Sequence, residues 1–258
     1  MLYLVAKIDK SNGSIHAVIP AKAGIQEEIN NWIAAFAGMT NCGMVRSEKE
    51  TRLKEKLRGK FIVLDGPDGC GKSTQAELLV NWLRDGGAAA SRFRDPGDTD
   101  IGEKIRDILL NPEHLAMNTR TELLLYMAAR AQLWSERLAP ALEDGNCVVL
   151  DRWLSSTCAY QGHAGGFGTD KVIGIAEDCL ERVWPDLTII LDVDLQTAAT
   201  RLDRQLDRME AKGDNYHSQV REGFLQLAKG RDDFCVVDAS ANVETVQQSV
   251  REKIIRFF

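Results

Sequence analysis

The chain has 258 residues, of which 44% are hydrophobic and 27% charged, and its net charge is −6. This composition is typical of globular proteins and excludes collagen-like, low-complexity and disordered classes. No apolar run approaches the ~20 residues of a membrane-spanning helix, and the acidic balance argues against general binding to a phosphate backbone. We therefore expect a globular protein whose partners include neither membrane nor nucleic acid.

The cysteines indicate a reducing environment. The six cysteines stand at positions 42, 70, 147, 158, 179 and 235, and no two of them form a C-x-x-C pair. Zinc sites and dithiol redox motifs therefore lack support. Because the start of the chain does not have the pattern of a secretory signal, the cysteines indicate reduced thiols of a cytoplasmic protein.

Residues 1–58 differ from the rest of the chain. They carry a net charge of +3, whereas residues 59–258 carry −9. Residues 1–45 show no sustained periodicity, and residues 46–58 are predicted to form a short solvated helix. Residues 18–26 and 35–40 resemble the translation of a dispersed repeat found between bacterial genes. We expect residues 1–58 to be an extension to the main domain, either disordered or produced by a mis-assigned start with Met44 as the true one; the alternative is a genuine accessory segment.

Residues 59–258 alternate regularly between short apolar runs and helical patterns. Buried strands are predicted over 61–64, 90–93, 147–150, 187–191 and 234–237. Helices are predicted over 72–84, 99–110, 118–143, 154–161, 169–182, 195–212, 215–229 and 242–256. This alternation predicts one α/β domain with a five-stranded parallel sheet and helices on both faces.

A phosphate-binding motif follows the first of these strands. Residues 66–73 read G-P-D-G-C-G-K-S and match G-x-x-x-x-G-K-[ST] between a predicted strand and a predicted helix. Glycines let backbone N–H groups turn inward around a polyphosphate, and the helix N-terminus adds positive potential. Lys72 could reach the β- and γ-phosphates, and the Ser73 hydroxyl could ligate Mg²⁺. The predicted ATP-binding residues are Gly66, Pro67, Asp68, Gly69, Cys70, Gly71, Lys72, Ser73 and Thr74; the alternative is a glycine-rich turn with a chance lysine.

A second polar pair, Asp151 and Arg152, ends the strand over 147–150. Ligands of parallel sheets bind at the carboxyl ends of the strands. Asp151 could sit beside Mg²⁺, and Arg152 could clamp a phosphate in bidentate fashion. The alternative is a surface ion pair.

With these motifs in place, residues 60–257 resemble the thymidylate kinase family. The phosphate loop is followed in order by Phe93-Arg94-Asp95-Pro96-Gly97, Tyr126-Met-Ala-Ala-Arg130, Asp151-Arg152 with Ser156-Thr157-Cys-Ala-Tyr160-Gln161-Gly162, and Asp207-Arg208-Met-Glu210. The resemblance implies a P-loop NTPase three-layer fold with a mobile lid at about 201–214. It also implies that a cytoplasmic homodimer uses ATP and Mg²⁺ to convert dTMP to dTDP for dTTP synthesis.

The resemblance further implies roles for individual residues. Tyr126 would stack on thymine and Arg130 would read the base; they are four residues apart, as are Thr157 and Gln161, so each pair shares a helix face. Core packing is the alternative for Tyr126, and pairing with Glu103 is the alternative for Arg106. The implied dTMP-binding residues are Asp68, Arg94, Arg106, Tyr126, Arg130, Arg152, Thr157, Tyr160 and Gln161.

Phosphoryl transfer also requires positive charge near the phosphoryl group as it moves from donor to acceptor. One type of this family has an arginine inside the phosphate loop; Gly69 stands there instead, so the lid should supply it. The lid region contains Arg201, Arg204 and Arg208. The alternative is a solvated charged helix in which Asp203 and Asp207 simply pair with these arginines. The implied catalytic residues are Lys72, Arg152, Arg204, Arg208 and Asp95.

Several positions depart from the family pattern. Asp95 replaces a commoner glutamate, Asp98 a commoner glycine, and Tyr126 a commoner phenylalanine. These departures keep two other functions open: a kinase of another pyrimidine monophosphate such as dUMP, UMP or dCMP, and a non-catalytic nucleotide-binding P-loop regulator. A guanine-binding switch is disfavoured, because the chain has no Asn-Lys-x-Asp motif.

Overall fold

The computed structural model describes residues 54–201 and 207–258 in full and, before them, two short strands. The chain divides into two compact units, Met1–Lys49 and Glu50–Phe258. In the first unit, β1 (Ala6–Ile8) pairs antiparallel with β2 (Ile15–Ala17). Sequence analysis found no strand pattern here, because strands of three residues are too short for alternation to show. Most of residues 1–58 lies outside the described residues, and the assignment of this segment as an extension stays a prediction.

The second unit is built on a parallel sheet of five strands in the order β4-β5-β3-β6-β7. All five predicted strands are present, and the predicted fold class is confirmed. The strands are β3 (Phe61–Asp65), β4 (Ala90–Arg94), β5 (Cys147–Asp151), β6 (Leu187–Asp192) and β7 (Phe234–Asp238).

Helices follow the strands and cover the sheet. They are α1 (Lys72–Asp85), α2 (Asp100–Leu110), α3 (Thr119–Leu133), α4 (Ala139–Glu143), α5 (Leu154–Thr157), α6 (Thr169–Cys179), α7 (Leu195–Thr200), α8 (Asp214–Ala228) and α9 (Val243–Phe257). Within the described ranges, no helix has the length and apolar character needed to cross a membrane.

The sheet is buried on both faces, which explains why β3 and β5 are continuous apolar runs. Every residue of β3 is buried. One core joins the sheet to α1 and α9, and a second core joins it to α3 and α6. The five cysteines of the described part of the chain are free thiols, and Cys70, Cys147 and Cys158 are buried in these cores.

Four helix predictions were wrong in part, the last of them over 195–212. The helix predicted over 118–143 is interrupted by a wide π-turn, Trp134–Leu138, where Pro140 lacks the N–H that an ordinary turn would use. The helix predicted over 154–161 becomes a π-turn at Cys158–Ala164. The predicted solvated helix before the sheet is described over 54–57, but its Leu57 is buried in the core.

The prediction of one helix over 195–212 was wrong, because α7 ends at Thr200 and the described residues 207–212 do not form an α-helix. Residues 202–206 lie outside the described residues. After them, the Asp207 carboxylate accepts hydrogen bonds from the backbone N–H groups of Met209 and Glu210, at 2.8 and 3.0 Å. An aspartate that caps backbone N–H groups begins a new turn rather than continuing a helix, and a 3-10 turn follows at Glu210–Lys212.

Asp186 fastens the start of β6 to the start of β3. Its carboxylate accepts hydrogen bonds from Phe61 N at 2.7 Å and from an Arg182 guanidinium nitrogen at 2.8 Å. Partial burial opposes ionisation, but the hydrogen bond from Phe61 and the charge of Arg182 outweigh it, so the pKa of Asp186 lies below its ordinary value.

We expect Asp186→Ala to lower the free energy of unfolding by about 1.5–3 kcal/mol at neutral pH, as for hydrogen bonds to a charged group. Because the folded-state pKa is depressed, this stabilisation is complete above the unfolded pKa of about 3.9 and is lost as pH falls below it. Urea unfolding of the wild type and the variant at pH 7 and near pH 3 measures the difference. Asp178→Ala, on the exposed face of α6, is the matched control and should change stability by less than about 0.5 kcal/mol. A difference that does not shrink at low pH would contradict the assignment.

Candidate active site

The phosphate loop connects β3 to α1 at the carboxyl edge of the sheet. Gly66 and Gly69 have positive φ values of 140° and 77°. A Cβ at Gly66 would lie 2.4 Å from the Leu191 carbonyl oxygen, and one at Gly69 would lie 2.4 Å from that of Ala198. Both positions therefore require glycine, and the second excludes the loop arginine of the other family type.

The loop opens onto the N-terminus of α1. Gly71 occupies the N-cap, no described side chain caps the helix there, and the first turn holds no acidic residue. The first N–H groups of a helix lack intrahelical partners and favour an anion. This end of α1 is therefore suited to a phosphate.

Lys72 is folded back into the loop. Its ammonium donates to the carbonyl oxygens of Gly66 and Pro67, at 3.1 and 2.8 Å, and lies 3.5 Å from the Cys70 sulfur. Burial raises the pKa of the Cys70 thiol, which favours the protonated, unreactive form. Cys70 fills space under the loop, while Lys72 is placed where it can exchange two carbonyls for phosphate oxygens.

Ser73 and Asp151 meet at the mouth of the loop. The Ser73 hydroxyl donates to the Asp151 carboxylate at 2.5 Å. The two residues predicted to form a magnesium site are thus brought together from α1 and β5. They supply a hydroxyl and a carboxylate oxygen, the ligand types that Mg²⁺ prefers.

Arg152 joins the phosphate loop to the second half of the site. It has a positive φ of 70°, unusual for a residue with a side chain. Its guanidinium donates to the Gly66 carbonyl at 3.2 Å, to Ser156 Oγ at 2.9 Å and to the Asp68 carboxylate. The other Asp68 oxygen accepts from the Tyr160 hydroxyl at 2.7 Å. Burial opposes ionisation of Asp68, but the charges of Arg152 and Lys72 lower its pKa.

Sequence reasoning missed Asp65, the last residue of β3. Its fully buried carboxylate accepts hydrogen bonds from Gly66 N at 2.9 Å, Ser155 Oγ at 2.6 Å and Ser156 Oγ at 2.7 Å. It thereby ties the phosphate loop to the segment that carries Arg152. The one available signal was an acid at the end of an apolar strand, directly before a glycine-rich loop.

Arg94 and Arg106 bring further positive charge to the site. Burial lowers the pKa of Arg106, and the nearby charges of Arg94 and Arg152 lower it further. Glu103 bonds Arg94 at 2.7 Å, whereas Arg106 donates to the Pro96 carbonyl at 3.1 Å. The alternative predicted for Arg106, a surface ion pair with Glu103, is therefore wrong: Glu103 pairs with Arg94 instead. Three crowded guanidinium groups indicate a site for an anion.

Asp98, which stands where the family more often has glycine, closes a turn. Its carboxylate accepts from Arg94 N at 2.6 Å, and Asp98 does not line the cavity. The extra charge therefore acts on the backbone beside Arg94 rather than in the site.

Arg130 and Asp95 form a buried ion pair beside the predicted base pocket. Their charged atoms lie 2.6 Å apart, and both side chains are at most 1% exposed. Arg130 also donates to Thr157 Oγ1 at 3.0 Å and to the Trp153 carbonyl at 3.2 Å. The second Asp95 oxygen, Oδ1, is buried and has no hydrogen-bond partner among the described residues.

These groups share one cavity of about 320 Å³. Its wall contains most of the predicted site residues: Asp68, Gly69, Gly71, Lys72, Ser73, Thr74, Arg94, Asp95, Arg106, Tyr126, Arg130, Asp151, Arg152, Thr157, Tyr160 and Gln161. Gly66, Pro67 and Cys70 shape the loop behind it. Tyr126 is half-buried and faces the cavity, so it is not a closed core aromatic.

The structure does not bring the described lid arginines to the cavity wall. Arg201 donates to the carbonyls of Ala239 and Ser240, at 2.9 and 3.2 Å. Arg208 is buried, pairs with Glu122 at 2.6 Å and donates to the Leu109 carbonyl at 2.7 Å. The predicted catalytic contact of Arg208 is therefore not made here, because a buried carboxylate holds its guanidinium. Arg204 lies outside the described residues, and its role stays a prediction.

Comparison with known proteins identifies the family. The family model described as thymidylate kinase matches residues 64–250. The chain belongs to the thymidylate kinase family. Thymidylate kinase of Caldanaerobacter subterraneus subsp. tengcongensis is 40% identical over 75% of this chain and 94% of its own length. That of a Geobacillus species is 39% identical over 74% and 93%. A crystal structure of thymidylate kinase from Ehrlichia chaffeensis superposes with a TM-score of 0.63 at 26% identity, covering 76% of this chain and 98% of that one.

These matches confirm the resemblance on which the sequence-based function prediction rested. They support phosphorylation of dTMP by ATP to give dTDP, the reaction of a kinase that binds both nucleotides. Neither alternative, another pyrimidine monophosphate kinase or a non-catalytic regulator, gains support.

Proposed function

We propose that the cavity transfers the γ-phosphate of ATP to dTMP, with the two nucleotides bound at opposite ends. The phosphate loop and the N-terminus of α1 would hold the ATP phosphates. The pocket around Tyr126 would hold thymine. The observation that carries this division is the Asp68–Arg152 pair, which joins the phosphate loop to the acceptor end of the same cavity.

The nucleophile in this proposal is an oxygen of the dTMP phosphate. It is already ionised, so the reaction needs no strong general base. Catalysis then depends on positioning the two phosphates and on positive charge around the moving group. Arg94, Arg106 and Arg152 would hold the dTMP phosphate, and Lys72 would stabilise charge on the ATP side.

Ser73 and Asp151 would hold Mg²⁺. Their oxygens lie 2.5 Å apart at the mouth of the phosphate loop, and their hard oxygen donors fit this cation. Bound there, Mg²⁺ would neutralise charge on the ATP phosphates. The residues of the described ranges contain no cluster of three or more histidine, cysteine or acidic side chains that would form a metal site by themselves, so phosphate oxygens and water would complete the shell.

The base would lie against Tyr126, with Arg130, Thr157 and Gln161 along its edge. The Tyr160 ring would pack beside the deoxyribose, where its bulk disfavours a 2′-hydroxyl. Its hydroxyl is fixed by Asp68, so this ring is held in place before a nucleotide arrives. Asp95 would lie near the transfer site. Among the described residues its Oδ1 has no hydrogen-bond partner, so this oxygen could accept a hydrogen bond from a bound nucleotide.

We also propose a cytoplasmic homodimer that serves dTTP synthesis. Exposed apolar side chains on two neighbouring helices favour a dimer: Ile101 and Ile108 on α2, and Leu124 on α3. Exposed apolar side chains of this size are common at association surfaces. The free cysteines fit a reducing compartment.

A coupled assay of ADP release tests the proposed acceptor. The purified protein is given Mg-ATP with dTMP, dUMP, UMP, dCMP, dGMP, AMP or no acceptor. We expect the highest kcat/KM with dTMP and little ADP release without an acceptor, because water lacks the contacts that position the nucleotide phosphate. Turnover led by another nucleotide would overturn the thymine pocket but keep the kinase mechanism. No acceptor-dependent turnover in a protein that binds ATP would overturn the proposal itself.

A further inference from the structure

Glu122 lies behind the predicted base pocket and has no role in the mechanism above. It belongs to the first turn of α3, one turn before Tyr126, and is buried. One of its carboxylate oxygens faces Arg208 NH1 at 2.6 Å, and the other faces Gln161 Nε2 at 2.7 Å and Lys212 Nζ at 3.5 Å. Two cations and one amide therefore converge on a single buried carboxylate.

This contact determines which way the Gln161 amide points. An ionised carboxylate has only acceptors, so the Gln161 group that faces it must be the NH₂. The Gln161 carbonyl oxygen is then the other end of the amide. Gln161 lines the cavity, and its Oε1 accepts no hydrogen bond from the described residues. The pocket consequently presents a hydrogen-bond acceptor at this position.

The distinction matters because pyrimidine bases differ at N3. Thymine and uracil carry an N3–H donor, whereas N3 of cytosine is an acceptor. A carbonyl oxygen accepts a hydrogen bond from the first two bases, and it faces a like acceptor in the third. A buried polar site discriminates strongly against a ligand that leaves its groups unpaired.

We propose that Glu122 is a specificity-determining positioning residue: it orients Gln161 so that the cavity selects nucleotides whose base carries an N3–H, thymine and uracil, against cytosine. This inference rests on the proposed acceptor pocket and adds a cause for its preference. Glu122 acts through Gln161 and touches no substrate itself.

Glu122→Gln is the directional test. Arg208 donates to the Oε2 position of residue 122. The carbonyl oxygen of the new glutamine would therefore stay at that position. The NH₂ of the new glutamine would then face Gln161. The Gln161 amide must turn so that its oxygen points at residue 122 and its own NH₂ points into the cavity, toward the base. We expect the ratio of kcat/KM for dTMP to that for dCMP to fall by at least about tenfold, the size of one misplaced buried hydrogen bond. The loss should appear in the KM for dTMP, with dUMP falling alongside dTMP and the KM for ATP unchanged.

Lys212→Gln is the matched control. It removes a cation 3.5 Å from the same carboxylate and keeps the bond from Gln161 to Glu122. We expect it to leave the dTMP-to-dCMP ratio within about twofold of the wild type, because the hydrogen bond that orients the Gln161 amide is kept and the partly exposed Lys212 makes only a longer contact with Glu122. A folded Glu122→Gln variant in which dTMP and dCMP decline equally would overturn the inference, since Glu122 would then be merely structural.

The wild type provides a measurement that does not depend on folding of a variant. It should prefer dUMP to dCMP by at least about tenfold, because the two nucleotides differ in the hydrogen-bonding edge that Gln161 faces. Parity between them, in an enzyme that still phosphorylates dTMP, would overturn the role of Gln161 and Glu122 while leaving the proposed function intact. Failure to phosphorylate dTMP at all would instead overturn the proposed function.

Discussion

Replacing Lys72 with alanine is expected to reduce kcat for dTMP by at least about 100-fold, the usual cost of removing one fixed positive group from a developing charge. Lys72 is 7% exposed, and its ammonium rests on the Gly66 and Pro67 carbonyls. These neutral acceptors keep it desolvated and aimed at the loop interior. Phosphate oxygens of bound ATP are stronger partners, so the charge can act without a large movement of the chain.

The measurement is steady-state turnover with Mg-ATP and dTMP, together with thermal unfolding and ADP binding. Lys104→Ala is the matched control, because Lys104 is an exposed lysine of α2 outside the cavity; its turnover should equal that of the wild type. Near-normal turnover in the Lys72 variant would contradict the proposed mechanism. A loss explained wholly by unfolding would be visible in the melting curve, and Lys72→Met then repeats the test with the apolar stem retained.

Asp95→Ala should give the largest loss of stability, about 3–5 kcal/mol, because it leaves the Arg130 guanidinium buried without its counter-charge. The two charged groups lie 2.6 Å apart and are almost wholly inaccessible. Burial raises the pKa of Asp95, and the charge of Arg130 opposes that rise. The pair contributes to stability mainly by satisfying two groups that would be costly to bury alone.

Urea unfolding of four proteins measures this prediction: wild type, Asp95→Ala, Arg130→Met and the double variant. If the pair is the cause, the double variant should be less destabilised than the sum of the single variants, since neither charge is left unpartnered. Strict additivity of the two losses, or a loss below about 1 kcal/mol for Asp95→Ala, would contradict the interpretation. Activity should be lost in all three variants, because both residues line the acceptor end of the cavity.

Local sequence was sufficient wherever the physical signal was local. The strands of the central sheet were recognisable because burial on both faces leaves a continuous apolar run. The phosphate loop was recognisable because both glycines of its motif stand at positions that require or favour glycine: a Cβ at Gly66 would meet the Leu191 carbonyl oxygen, and Gly71 has a positive φ of 94°. The predicted residues of the base pocket were found through the resemblance to the family, and the four-residue spacing of Tyr126 and Arg130 on one helix was consistent with it.

The helix over 195–212 shows where local reasoning failed. The charged pattern there fits a solvated helix, yet α7 ends at Thr200 and Asp207 caps a new turn. Distant groups compete successfully with the helix: Arg201 donates to the Ala239 carbonyl, and Arg208 to the Leu109 carbonyl. Propensity is a weak influence that tertiary hydrogen bonds can override.

The sequence by itself determined the fold class and the phosphate loop, because periodicity and glycine requirements are properties of short segments, and its resemblance to the family named most residues of the cavity wall. Only the tertiary structure decided which side chains hold each other. Asp65 bonds Ser155 across 90 positions of the chain, and Glu122 lies between Gln161 and Arg208. A buried carboxylate must find donors wherever the fold supplies them, and those donors come from elements that only chain folding brings together. For the same reason Arg208, predicted at the phosphates, is found paired with Glu122 behind the predicted base pocket.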